Sequence, residues 1–217
     1  MIFPDAFISL AEQTGLIEPL TDWMLKEGMQ QCATWQKQGL NTQLSLNLSA
    51  KILNNLLLPD KIVSLAKENS INPETIILEV TETSIMNQPT VVMDILTRLR
   101  IKGFFLSIDD FGTGYSSLTQ LHKMPFNELK IDKSFVTDMD EDVESKIITK
   151  ALVELGHNLG LTMVAEGIQT KKTWDMLIDM GCDIAQGYFI SPPLNVEDFE
   201  QWFKTRIDSD LRLLDVF

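Results

Sequence analysis

The sequence predicts an α/β protein whose parallel strands close toward a (β/α) barrel, and three observations carry that expectation. Six short apolar runs of period-2 character alternate with longer segments of helical periodicity, the pattern of repeated strand-helix-strand units. The 217 residues suit one large domain, at about 150 residues per domain as a soft prior, and no low-complexity linker or internal repeat interrupts them. The polar residues of the apolar runs fall near their C-terminal ends, where a barrel collects its site. The unit count is short of eight.

A helical pair over residues 4–13 and 20–38 precedes the first strand, residues 43–48, where leucines hold one phase and Ser45 and Asn47 the other. A helical pattern over 51–70 leads to a strand at 75–80 that carries Glu79 among apolar neighbours. Residues 89–102 read as helix and 104–109 as a strand ending in Asp109, with Asp110 and a glycine-rich stretch, 111–118, directly after it. Lys130 and Asp132 lie in the run 129–132. Helical patterns at 143–159 and 170–180 stop before Gly160 and Gly181, as helices tend to. Between and after them, strands at 162–166 and 184–189 carry Glu166 and Gln186. A lone acid at a strand end is more often a cap or turn former than a ligand. Recurrence on several strands after otherwise buried runs favours a metal or catalytic cluster, because unpaired buried charges are costly.

Composition narrows the function classes. Thirty-one acidic against 18 basic residues give a formal charge of −13, which opposes attraction to nucleic-acid polymers or anionic membranes. Cys32 and Cys182 lie far apart without paired spacing, so neither a disulfide framework nor a thiolate zinc site is expected. With no basic start followed by an apolar run, and no stretch near 18 apolar residues, the expectation is a cytoplasmic domain without membrane contact.

Asn, Glu and Asp oxygens without histidine or thiolate are hard ligands that suit Mg²⁺, Mn²⁺ or Ca²⁺. The adjacent pair Asp109-Asp110 could bridge one cation to a second, and a two-cation centre hydrolyses phosphodiesters. Lys130 could orient the attacking water or serve as a counter-ion to the carboxylates. The spacing alone also fits an enolase-like site with one Mg²⁺ and a lysine base. His122 and His157 read as surface or packed residues, and the acidic run 138–144 as a solvated turn and helix start.

The set Leu46-Asn-Leu-Ser49, Leu78-Glu-Val-Thr-Glu82, Asp109-Asp-Phe-Gly-Thr-Gly-Tyr-Ser-Ser117, Leu129-Lys-Ile-Asp132, Ala165-Glu-Gly167 and Gln186-Gly-Tyr188 resembles the EAL-domain family of cyclic di-GMP phosphodiesterases. The resemblance runs in order over about residues 3–193, leaving 194–217 as a C-terminal helix and tail of a single EAL domain spanning 1–217. It implies a modified TIM-like (β/α)8 barrel that lacks its first strand in these residues. The family's Glu-Ala-Leu strand, with its ligand glutamate and phosphate-contacting arginine, has no match here, and Glu18-Pro-Leu20 falls in a helical segment instead.

The resemblance also implies roles. Asn47, Glu79 and Asp109 would bind a first divalent cation, with Asp109 bridging to a second held by Asp110 and Glu166, both ions Mg²⁺ or Mn²⁺. Lys130 would hold or polarise the attacking water, and Glu82 would anchor the loop 109–117. Asp132 and Gln186 would line the substrate and metal surroundings, as would Gln169, a neutral amide where the family pattern has a second acid. The implied reaction opens cyclic di-GMP to linear pGpG, and the implied partners are that dinucleotide, a second copy in a homodimer, and attached sensory or GGDEF domains. The alternative is a domain that binds cyclic di-GMP as a receptor or scaffold without turnover.

Overall fold

Branched apolar runs with a polar phase become parallel strands here, in two separate settings. The protein, seen as a computed structural model, is described for residues 4–113, 121 and 123–207, and falls into two units divided between Glu128 and Leu129. The expected loop residues 114–120 and His122 lie outside the described residues.

In the first unit β1 (Leu44–Asn47), β2 (Ile76–Thr81) and β3 (Phe105–Phe111) pair in parallel in chain order. β2 is the middle strand and is buried at every position but Thr81, which is why it is almost continuously apolar. Two N-terminal helices, α1 (Ile8–Thr14) and α2 (Ile17–Lys37), precede β1. α2 buries Ile17, Thr21, Leu25, Met29, Cys32 and Ala33, a stripe at three- and four-residue spacing. Its Gly28 lies over β1, where a Cβ would stand 2.8 Å from the Leu46 side chain, so the missing side chain sets how closely helix and strand approach.

The expected helix over 51–70 is shorter, with a 3-10 turn at Ile52–Asn54 and then α3 (Leu58–Glu68). Asn55 Oδ1 accepts from the Leu57 N–H at 3.0 Å, and Pro59 suits the first turn of the helix, so the start falls after the asparagine pair. α4 (Glu82–Asn87) follows β2 directly, and α5 (Pro89–Ile101) buries Val92, Ile95, Leu96 and Leu99.

In the second unit β4 (Glu128–Ile131), β5 (Thr162–Ala165) and β6 (Ile184–Ala185) are neighbours in that order, β5 and β6 in parallel. α6 (Lys133–Val136) follows β4, α7 (Val143–Asn158) precedes β5, α8 (Lys171–Met180) links β5 to β6, and α9 (Val196–Ile207) ends the described chain. The acidic run before α7 has a local task. Asp142 caps the helix, accepting from the Glu144 and Ser145 N–H groups at 3.2 and 3.0 Å. The Ser145 hydroxyl and these amides hold its carboxyl below the usual carboxylate range. β6 is shorter than the expected run 184–189, because after Ala185 the backbone turns to bond Ile168.

Both cysteines are buried and unpaired. Burial pushes the Cys182 thiol up to about 12, so at neutral pH it is a neutral packing group rather than a nucleophile. His157 Nε2 lies 2.8 Å from Asp183 Oδ2, which also accepts from the Met163 N–H at 2.8 Å, tying the end of α7 to the start of β5.

Candidate active site

Register places the first unit's acids. Asn47 of β1, Glu79 of β2 and Ser107 of β3 are in line across the three strands, and Asp109 lies two residues beyond Ser107 on the same face, beside Thr81. Glu79 is 4% exposed, whereas Asn47 at the end of β1 is open to solvent. A carboxylate this buried is costly unless charge or hydrogen bonds compensate it.

The backbone bends sharply at the acid pair. Asp110 has φ +56°, the left-handed region that side-chain-bearing residues rarely adopt. Three local contacts hold it there. Asp109 Oδ1 accepts from the Asp110 N–H at 3.0 Å, the Asp110 carbonyl accepts from Thr113 Oγ1 at 2.8 Å, and the following Gly112 N–H donates to Glu82 Oε2 at 3.1 Å. Glu82 is the first residue of α4 and is 3% exposed, so its carboxylate is a fixed acceptor at the start of the loop that leaves β3.

In the second unit, Lys130 lies in the buried strand β4 and Glu166 directly follows β5. Lys130 Nζ stands 2.6 Å from Glu166 Oε1, with 6% and 16% of the two side chains exposed. Desolvating both charges is expensive, and such a contact is weak evidence for stability but good evidence for two groups held in one place. Asp132 caps α6 through the Ser134 N–H at 2.9 Å. Gln169 and Gln186 are both exposed.

A backbone seam fixes the segment around Glu166. The Gln186 N–H donates to the Ala165 carbonyl at 2.8 Å, the Ile168 N–H to the Gln186 carbonyl at 3.1 Å, and the Phe189 N–H to the Ile168 carbonyl at 3.0 Å. Gly187 makes this possible, since a Cβ there would fall 2.2 Å from the Ile168 oxygen and 2.3 Å from its nitrogen. The EAL-domain family model matches residues 1–193. The chain is an EAL domain.

This EAL domain is 36% identical over 203 residues to the cyclic di-GMP phosphodiesterase PA2567 of Pseudomonas aeruginosa, covering 94% of this chain and 35% of that protein. It is 38% identical over 198 residues to the bifunctional diguanylate cyclase/cyclic di-GMP phosphodiesterase MucR of the same organism, covering 91% of this chain and 29% of MucR. The EAL domain thus spans about a third of the length of these relatives. Among solved structures it resembles the PaMucR phosphodiesterase in its cyclic di-GMP complex, with a TM-score of 0.88 and 38% identity over 91% of this chain and 81% of that one. The EAL domain of Mycobacterium smegmatis DcpA matches with a TM-score of 0.80 and 30% identity, over 84% and 83% of the two chains. The TIM-like α/β fold expected from the strand-helix alternation is the fold of this family. Among the described residues no helix is long and apolar enough to cross a membrane.

Proposed function

We propose that this EAL domain hydrolyses one phosphodiester of cyclic di-GMP to give linear pGpG, with two divalent cations, in the cytoplasm. The observation that carries the reading is the buried Lys130–Glu166 pair at 2.6 Å, a fixed cation and carboxylate at strand ends in a domain whose relatives are named cyclic di-GMP phosphodiesterases. The donor set fits hard cations: Asn47, Glu79, Asp109, Asp110 and Glu166 offer oxygen ligands and no thiolate or imidazole, so they would hold Mg²⁺ or Mn²⁺. When bound, such cations supply Lewis-acid stabilisation and acidify a bound water.

The chain's own groups do the rest. Glu166 holds Lys130 Nζ in place, and that ammonium orients the attacking water or offsets charge on the phosphoryl oxygens. Hydrolysis forms a bond from water oxygen to phosphorus and breaks the bond to O3′, which leaves as a hydroxyl after taking a proton. Asp132, Gln169 and Gln186 line the substrate and metal surroundings, and Glu82 steadies the loop through Gly112. Homodimerisation and attached sensory or GGDEF domains belong to the same proposal.

The test is chromatography of cyclic di-GMP incubated with the chain and Mg²⁺ or Mn²⁺, with and without chelator. Chelator-sensitive conversion to pGpG supports hydrolysis; binding without any product supports the receptor reading instead. Glu82→Ala removes the charged acceptor of the part-buried Gly112 hydrogen bond, a loss of about 1.5–3 kcal/mol for a hydrogen bond to a charged group. Turnover is expected to fall about 10- to 100-fold, as for other groups that orient ligands, while the affinity for cyclic di-GMP changes little. Steady-state kinetics decide it, and unchanged kcat removes Glu82 from the site.

A further inference from the structure

Among the described residues three buried side-chain oxygens have no hydrogen-bond partner: those of Thr42, Ser49 and Ser107. Ser107 stands apart by its place. It is 0% exposed in the middle of β3, its Cα is in register with that of Glu79, and it precedes Asp109 by two residues on the same face of the strand. Neighbouring in-register residues on parallel strands present their side chains to the same side, so Glu79, Ser107 and Asp109 share one face of the sheet. Leu106 and Ile108, on the opposite phase of the same strand, are buried hydrocarbon.

A buried hydroxyl without a partner weakens a fold, and an alanine would fill this position without that loss. An orphaned donor beside two carboxylates is therefore informative: carboxylates that bind a cation are themselves commonly oriented by hydrogen bonds from a surrounding layer of groups. We propose that Ser107 is a positioning residue for the cation held by Glu79 and Asp109, its hydroxyl donating to the water or carboxylate oxygens around that cation once it is bound. The inference rests on the metal-dependent reading of the site. It gives Ser107 opposite effects on the empty and the loaded protein, which a purely structural serine does not have.

The experiment compares wild type, Ser107→Ala and Glu79→Gln by thermal unfolding without metal and by calorimetric titration with Mn²⁺ alone. Ser107→Ala is expected to unfold without metal at the wild-type midpoint or above it, and to bind Mn²⁺ about 10- to 100-fold more weakly. A metal-free midpoint lowered by roughly 4 °C or more shows that the hydroxyl supports the fold and overturns the inference. Unchanged Mn²⁺ affinity in Ser107→Ala, with weakened affinity in Glu79→Gln, overturns it while leaving the metal site standing. Unchanged affinity in both variants, or no Mn²⁺ binding by the wild type, overturns the metal reading on which it rests.

Discussion

Glu166→Gln is expected to keep its fold and to lose cyclic di-GMP hydrolysis by about 10²- to 10³-fold or more, the scale of a fixed electrostatic contact removed from an active site. The amide matches the carboxylate in volume and still accepts from Lys130 Nζ, so the 2.6 Å contact persists in shape. What disappears is the negative charge, and with it a partner that keeps the ammonium in place and, on the proposed reading, an anionic ligand for a cation. Removing one member of a buried ion pair outright costs about 3–5 kcal/mol, and the amide should cost less. Lys130→Met combined with Glu166→Gln removes both charges of the pair, and the double variant is expected not to recover turnover, whatever its stability in urea. Turnover at the wild-type rate in Glu166→Gln would show that the pair only holds the fold.

Gly187→Ala is expected to damage stability and chemistry together. The new Cβ would meet the Ile168 nitrogen and oxygen at 2.3 and 2.2 Å, and both are backbone atoms that cannot swing aside as a side-chain tip can. Overpacking of this kind costs about 1–3 kcal/mol, more where only the main chain can yield. The displaced residue is two positions from Glu166, and the bonds between 165 and 186 and between 168 and 189 bracket that carboxylate. Gly160→Ala is the contrasting control. Gly160, unlike Gly187, has a positive φ, +74°, and nothing lies within 4 Å of its would-be Cβ, so only the conformational penalty of about 1–2 kcal/mol applies. Urea unfolding and turnover on the two variants should separate: Gly160→Ala loses some stability alone, Gly187→Ala loses both. A folded Gly187→Ala with full kcat would mean that the seam does not place Glu166.

The strands were readable because burial on both faces demands branched apolar residues, and the run that became β2 shows this most plainly. The short helices α4 and α6, six and four residues, are invisible to periodicity because neither completes two turns. β6 is shorter than the expected run, since Gln186 to Phe189 look like strand residues while the Gln186 carbonyl and the Phe189 N–H serve the seam with Ile168. For the site, strand-end position singled out Asn47, Glu79, Asp109, Lys130 and Glu166 as residue types. Spacing along the chain could not reveal that Lys130 and Glu166 touch, because helices α6 and α7 lie between them. Glu82 carried no period-2 signal and entered through family resemblance, its acceptor role at Gly112 being a matter of three-dimensional placement. Ser107 gave no sign at all: a serine inside an apolar run looks like tolerated polarity until its hydroxyl is found without a partner.

The left-handed backbone of Asp110 bears on how this domain would respond to selection. Most residues other than glycine pay about 1–2 kcal/mol to sit at φ +56°, and aspartate and asparagine tolerate that region better than most, though not as well as glycine. A library screened for thermal tolerance alone should therefore enrich glycine at position 110. That change relaxes the chain and discards the carboxylate, so on the proposed reading the survivors of such a screen would be sturdier proteins with a poorer catalyst inside. Retaining aspartate there requires that activity be scored alongside heat resistance.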